Sequence, residues 1–246
     1  MAKEIFCSKS ATFTTVLPII YQDSDLVAIS KPHGLLVHRS RIAKDVSEVA
    51  LQLLRDQLGQ PVYPAHRIDR KTGGVLLFAL SSPVLTALQT QFMNNEVEKR
   101  YLAIVRGHTE DKGEIDYPLR RDDGKLQEAF TEYQTLERAE LPVSFGKHPT
   151  SRYSLVAVKP RTGRQHQIRK HFNHIRHPII GDRPHGCNKQ NRLFKERWQM
   201  ETMLLHAESL RFTHPVTQQK ILVEASLQTE FCRMMNLMGW KYETAK

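Results

Sequence analysis

Six consecutive apolar residues, Val75 to Leu80, follow a Thr72-Gly73-Gly74 turn. A run of that length is too short for a core helix and reads as a buried strand. Such a strand has to be covered by other elements, and 246 residues supply enough chain for one large domain or two small ones. Immediately before the turn, one carboxylate, Asp69, stands among four potentially cationic neighbours: His66, Arg67, Arg70 and Lys71. Nearby positive charges favour the ionised form of an acid, so this cluster reads either as a poised carboxylate or as an Asp that neutralises its neighbours in a turn.

The remaining elements follow from changes in hydrophobic period. Leu17 to Tyr21 and Leu26 to Ser30 bracket Gln22-Asp23-Ser24-Asp25 as a hairpin, which Lys31-Pro32-His33-Gly34 ends. From Asp45 to Leu58 the apolar positions Val46, Val49, Ala50, Leu53, Leu54 and Leu58 share one helical face. Asp45 and Glu48 form a capping-box-like start and Gly59 a stop. A second helix is expected from Ser82, with Pro83 at its first position, to Asn94-Asn95. Strands are expected at Val97 to Arg106, Gly113 to Leu119, Ala129 to Leu136 and Tyr153 to Val158, then a helix over Gly163 to Ile175. Met203 to Phe212 and Lys220 to Ala225 form a late hairpin, and Gln228 to Met238 a closing helix. Strands outnumber helices and mostly follow one another, which argues an α+β fold: a central mixed, largely antiparallel sheet, flanked by helices, in two lobes around a cleft. Residues 1–16 read as a polar leader without an assignable role, and 17–246 as a single domain.

Charge narrows the partners. Lys and Arg number 36 against 26 Asp and Glu, leaving +10, a surplus that suits a polyanion: nucleic acid, an acidic membrane surface, or charge kept for solubility alone. No apolar run approaches the length of a membrane span. Cys7, Cys187 and Cys232 are too scattered for a disulfide framework or a structural zinc site, so the reducing cytoplasm is the simplest home.

The densest basic stretch, Lys159 to His171, leaves a strand and enters a helix, so Arg161, Arg164 and Lys170 are candidates for phosphate contact; a merely solvated basic face is the plain alternative. His166, His171, His174 and His177 have ligand-like spacings, but the interleaved Arg164, Arg169, Lys170 and Arg176 repel a cation, and no acid or Cys lies between Arg161 and Ile180. No metal site is expected. The phosphate-cradling, dinucleotide-binding and nucleophile-elbow motifs are absent, so no cofactor is expected either. Glu98-Lys99-Arg100-Tyr101 puts an aromatic among bases, useful for stacking on a nucleobase and equally usual as sheet packing.

Three segments taken together, His66-Arg67-Ile68-Asp69-Arg70-Lys71-Thr72-Gly73-Gly74, Lys99-Arg100-Tyr101 and Arg161 to Arg169, resemble in order the motifs of the RluA-type pseudouridine synthases. His177-Pro178-Ile179-Ile180-Gly181-Asp182, Leu205-His206-Ala207 and Lys31-Pro32-His33-Gly34-Leu35 are similar to further signatures of that family, so the likeness runs from about Leu17 to Leu227. Ile68 stands where Leu is common and Gly73 where Ser is common. No S4-type RNA-binding domain precedes the hairpin. Within the family the chain is most similar to members that act on uridine 65 of tRNA, in its length and around Val37-His38-Arg39-Ser40 and Lys189-Gln190-Asn191-Arg192.

The resemblance implies a cofactor-free isomerase that detaches uracil from ribose at N1, turns it and rejoins it through C5. Asp69 would be the nucleophile, attacking either the sugar or the base, in a pocket that excludes water. Arg169 would hold Asp69, Tyr101 would stack on the base and assist late proton removal, Ile168 would line the pocket, and Arg67 would fill the space of the flipped uridine. The protein is expected to act on RNA, with tRNA as the substrate, as a monomer. A ribosomal RNA substrate and a non-catalytic RNA-binding role are the alternatives.

Overall fold

A computed structural model describes residues 16–39 and 48–241. In chain order the elements are β1 (Ile19–Gln22), β2 (Leu26–Lys31), α1 (Ala50–Leu58), β3 (Tyr63–Pro64), β4 (Gly73–Ala79), α2 (Ser82–Met93), β5 (Glu98–Arg106) and β6 (Lys112–Asp116). There follow β7 (Leu119–Arg120), β8 (Leu126–Gln127), β9 (Phe130–Leu141), β10 (Ser151–Pro160), α3 (Gln167–His174), α4 (Asn188–Trp198), β11 (Leu205–Thr213), β12 (Lys220–Glu224) and α5 (Thr229–Leu237). Ten strands form one sheet in the order β1-β2-β4-β11-β5-β10-β9-β6, with β12 on β11 and β3 on β4, and β7-β8 stand apart. Every pairing is antiparallel except β4 with β11. The sheet is therefore mixed and largely antiparallel, as the strand sequence implied.

All seven residues of β4 are buried because helices cover both of its faces. Leu76 and Phe78 pack with Leu53 and Leu54 of α1, while Val75, Leu77 and Ala79 pack with Val84 and Leu88 of α2. The same period-2 division organises the other half of the sheet. Leu102, Ile104 and Leu155 face Phe194 of α4 and Phe231 of α5, and Ala103, Val105, Val156 and Val158 face Ile168 and Phe172 of α3. Between β5 and the segment before β11, Ile180 donates its amide to Ile104 O at 3.0 Å and accepts from Leu204 N at 2.9 Å. That wedge carries the chain to Asp182.

Several boundaries differ from the sequence reading. α1 begins at Ala50 with Val49 at its N-cap and no side-chain capping bond; Gly59 ends it as expected, at φ 67°. Asp45, like nearly all of the leader, lies outside the described residues. α2 has Ser81, not Ser82, at its N-cap. The helix expected from Gly163 starts at Gln167, since a turn fixed by that glutamine's side chain occupies the preceding residues. The helix α4 was not anticipated, because its pattern, with only Leu193, Phe194 and Trp198 apolar, is too polar to announce an amphipathic face.

The two glycines before the apolar run are required by close approach. Gly74 lies at φ +109°, and a Cβ on it would stand 2.0 Å from Ala207 O across the parallel pair. A Cβ on Gly73 would stand 2.2 Å from Gln228 Nε2. That amide donates to Lys31 O at 2.8 Å, and its Oε1 accepts from His33 N at 3.1 Å. The space that a serine would use is thus filled by a side chain from the start of α5. Gly74→Ala is expected to destabilise the protein by more than about 3 kcal/mol, since the opposing atom is sheet backbone. Gly73→Ala should cost about 1–2 kcal/mol by evicting the Gln228 amide, and adding Gln228→Ala should cost little more. Denaturant unfolding of the two single variants and the double variant checks both statements.

Candidate active site

A cleft of about 560 Å³ opens beside the loop between β3 and β4, and its walls include Arg67, Ile68, Asp69, Tyr101, Ile168 and Arg169. The loop is pinned from behind. Thr72 N donates to Asp69 O at 3.0 Å and Gly34 N to Arg70 O at 2.9 Å. The fully buried Lys31 donates its ammonium to Pro32 O, Leu35 O and Arg70 O at 2.9, 2.8 and 3.2 Å. Burial pushes this ammonium down to about 7, while the Asp69 charge favours it and Arg70 opposes it.

The cation that meets Asp69 is not one of its four sequence neighbours. His66, half-buried in the cleft wall, points away from Asp69: its Nε2 accepts from Leu77 N at 3.1 Å and its ring stacks on Phe92; burial lowers it to about 3 and it is neutral. Arg70 donates Nε to Gly34 O at 2.9 Å, and Arg67 is exposed at the cleft wall. Arg169 makes the contact, with Nη1 2.8 Å from Asp69 Oδ2. The same guanidinium donates Nε and Nη2 to the two oxygens of Asp182, each at 2.8 Å. Arg169 is 7% exposed, Asp182 1% and Asp69 26%, so the chain of charge runs from the core to the cleft. Burial works against the Arg169 charge, and the bonds and charges of Asp182 and Asp69 more than offset it.

Asp69 Oδ1 accepts no hydrogen bond among the described residues and lies 3.9 Å from His166 Nε2. His166, in the left-handed region at φ 55°, shares a 2.9 Å Nδ1 to Nε2 hydrogen bond with His185. Burial lowers both imidazoles. Tyr101 sits in β5 between Val158 and Ala207. Burial first, and then the negative charge of Asp69, raise its phenol well above the ordinary value, so it stays protonated.

The turn before α3 is built by one amide. Gln167 Oε1 accepts from Thr162 Oγ1 at 2.7 Å and Arg164 N at 3.0 Å, while its Nε2 donates to Phe130 O and Thr131 Oγ1 at 3.0 and 2.9 Å. Thr131 Oγ1 in turn is 2.9 Å from His171 Nδ1, and His171 Nε2 is 3.0 Å from Tyr117 O. This network fixes the orientation of α3, and with it Ile168 and Arg169.

Of the proposed phosphate contacts, Arg164 lines the cleft, although its Nε is spent on Glu128 O at 3.0 Å. Arg161 lies outside the cleft and forms a two-pronged pair with Glu132 at 2.9 and 3.1 Å. Lys170 also lies outside it, with Nζ 3.4 Å from Arg120 O. The histidines of α3 do not converge. Among the described residues the one trio of metal-capable groups is Asp23, Asp25 and His214, in which His214 Nε2 is 3.1 Å from Asp23 Oδ2 and Nδ1 accepts from Val216 N and Thr217 N. No helix among the described residues is long and apolar enough to cross a membrane.

Sequence reasoning brought together Arg67, Asp69, Tyr101, Ile168 and Arg169, and missed Asp182, Lys31 and Gln167. Asp182 could have been found as the first acid after the basic stretch, set directly behind the apolar pair Ile179-Ile180. The arrangement presents one carboxylate oxygen, held against a buried arginine, to a cleft large enough for a nucleotide. A model of the family described as RNA pseudouridylate synthase matches residues 25–174. The tRNA pseudouridine synthase C of Vibrio cholerae is 46% identical over 237 residues, covering 92% of this chain and 97% of that protein. Its counterpart from Haemophilus ducreyi is 48% identical over 236 residues, covering 92% and 97%. The structure of human RNA pseudouridylate synthase domain containing 4 superposes with a TM-score of 0.69 at 25% identity, covering 92% of this chain and 95% of that one.

Asp182→Ala leaves the Arg169 charge buried with one partner and should destabilise the fold by about 3–5 kcal/mol. Asp182→Asn keeps the shape and should cost less, while loosening Arg169. Chemical denaturation of both variants against wild type measures the difference.

Proposed function

Because the chain belongs to the RNA pseudouridylate synthase family, we propose that its cleft isomerises a single uridine of tRNA, at position 65, to pseudouridine. The tRNA substrate is supported by the names and the near full-length likeness of the curated relatives. The observation that carries the site assignment is the division of labour on Asp69: Oδ2 is fixed by Arg169 and Oδ1 faces the cleft unbonded. A non-catalytic RNA-binding surface has no use for a carboxylate at that place, since it repels phosphate.

The reaction breaks the bond between ribose C1′ and uracil N1 and makes one between C1′ and C5. N1 gains a proton and C5 loses one, so no oxidant or reductant is required. Asp69 attacks C1′ or the base C6 through Oδ1, and Arg169, bonded to Oδ2, aims the carboxylate. A uridine stacked in RNA has to leave its stack to reach this cleft, and Arg67, exposed at its wall, fills the space it vacates. Tyr101 and Ile168 supply the apolar walls between which the uracil turns. The Tyr101 hydroxyl, held protonated, takes the C5 proton only as its own passes to the Asp69 carboxylate released in the preceding step, and Asp69 then gives a proton to N1, which leaves both residues as they began. A cytoplasmic home suits the substrate.

Pseudouridine mapping at single-nucleotide resolution in cells with and without the gene tests the assignment. The signal at one tRNA uridine should vanish on deletion, return with wild type, and stay absent with Asp69→Ala, whose affinity for RNA should equal or exceed that of wild type. An Asp69→Ala protein that still made pseudouridine would overturn the role of Asp69. Tyr101→Phe keeps the stacking face and should bind RNA as wild type does while turning over about 10²-fold more slowly or worse. Single-turnover kinetics read that effect apart from binding; an unchanged rate would leave Tyr101 with stacking alone.

A further inference from the structure

The helix α4 has two faces with different duties. Inward, Phe194 and Gln190 are buried, and Asn191 bolts the helix to the loop behind the ion pairs. Asn191 Oδ1 accepts from Gly181 N at 2.8 Å, and its Nδ2 donates to Asp182 O at 2.7 Å. Outward, Lys189, Arg192 and Lys195 follow one another at three-residue spacing, all exposed. Between this helix and the Asp182 loop lies a hollow of about 310 Å³ lined by Arg183, Asn188, Arg192, Lys195 and Glu201 among others. Lys195 is neutralised by Glu201 at 2.7 Å. Lys71, Arg183, Lys189 and Arg192 form no ion pair within the described residues.

Two of these cations adjoin, in the chain, the acids that Arg169 holds. Lys71 is two residues beyond Asp69, and Arg183 directly follows Asp182. They also repel: after burial, the Arg183 charge is the strongest influence lowering the Lys71 ammonium. Glu201 is the one carboxylate that lines the hollow and it is bonded to Lys195, so the cations there outnumber the acids, an excess that is unfavourable in the free protein and that a polyanion offsets. The other basic hollow beside the cleft is different, because Arg161 there is paired with Glu132 and Arg211 with Glu98.

We propose that the outer face of α4, together with Arg183 and Lys71, is a docking surface for the RNA sugar-phosphate backbone, gripping phosphates that flank the uridine presented to the cleft. The proposal rests on the reading of the cleft as an RNA-modifying site. It gives α4 a purpose its inward packing does not require: the helix that steadies Asp182 also registers the RNA over Asp69.

The test uses the full-length protein with Arg183→Gln and Arg192→Gln combined, both at exposed positions, and measures affinity for a tRNA transcript across a salt series alongside pseudouridine formation at saturating RNA. The double variant should bind about tenfold more weakly at low salt, and its slope of log affinity on log salt should be shallower by about 2, one counterion for each lost phosphate contact. Turnover at saturation should be unchanged, and Arg183→Lys with Arg192→Lys should restore the slope. Wild-type affinity and slope in the double variant would overturn the proposal, as would a loss confined to turnover. If wild type bound tRNA and left it unmodified, the reading of the cleft would fail, while the salt series would still judge the surface.

Discussion

One guanidinium carries the site. Arg169 is shared between a carboxylate sealed in the core and another at the cleft edge. Taking it out of water costs several kcal/mol, which a single surface partner would not repay. Asp182, fully desolvated and bonded through both oxygens, repays it with the geometry an arginine fork prefers. Three guanidinium N–H groups remain, and one of the two on Nη1 goes to Asp69. The orientation of Asp69 is therefore coupled, through Arg169, to a carboxylate it never touches.

The sheet exists, from the standpoint of this unit, to bring three distant segments to one place. β4 supplies the loop with Asp69, β10 leads through the Gln167 turn into α3 with Arg169, and the Ile180 wedge delivers Asp182. Each segment is secured by a polar side chain that bonds to backbone atoms: Lys31 for the first, Gln167 for the second, Asn191 for the third. Bonds of this kind fix a loop more firmly than contacts between side chains, because the backbone end has no rotamers to escape through.

Much of this was legible in the sequence, and the failures have a common cause. The apolar run of β4, the late hairpin and the residues that line the cleft were readable because they rest on local period or on ordered motifs. What could not be read was which charge meets which. Asp69 has four basic neighbours within five residues, yet its partner is 100 positions away. His66 looks cationic in the sequence and is a neutral acceptor for the β4 backbone in the fold. Gly73 reads as a lost hydroxyl until Gln228 is seen in its place, and nothing local announces that the start of α5 lies there. The polar helix α4 escaped because its stability comes from Phe194 and the Asn191 bolt, not from an amphipathic stripe.

The strand order has a consequence for how the protein is made. β11 lies between β4 and β5, and within the sheet it is the strand that joins the two halves, although it is among the last to be synthesised. Until it leaves the ribosome, the half with Asp69 and the half with Tyr101 and Arg169 have no shared hydrogen-bonded edge, and each must wait with a sheet edge uncovered. Gln228, which clamps the Asp69 side through Lys31 and His33, arrives later still. A chain that stops before β11 thus carries Asp69, Tyr101 and Arg169 but lacks both Leu205 of the cleft wall and the strand that joins the two halves, so the cleft is among the last features the sheet completes.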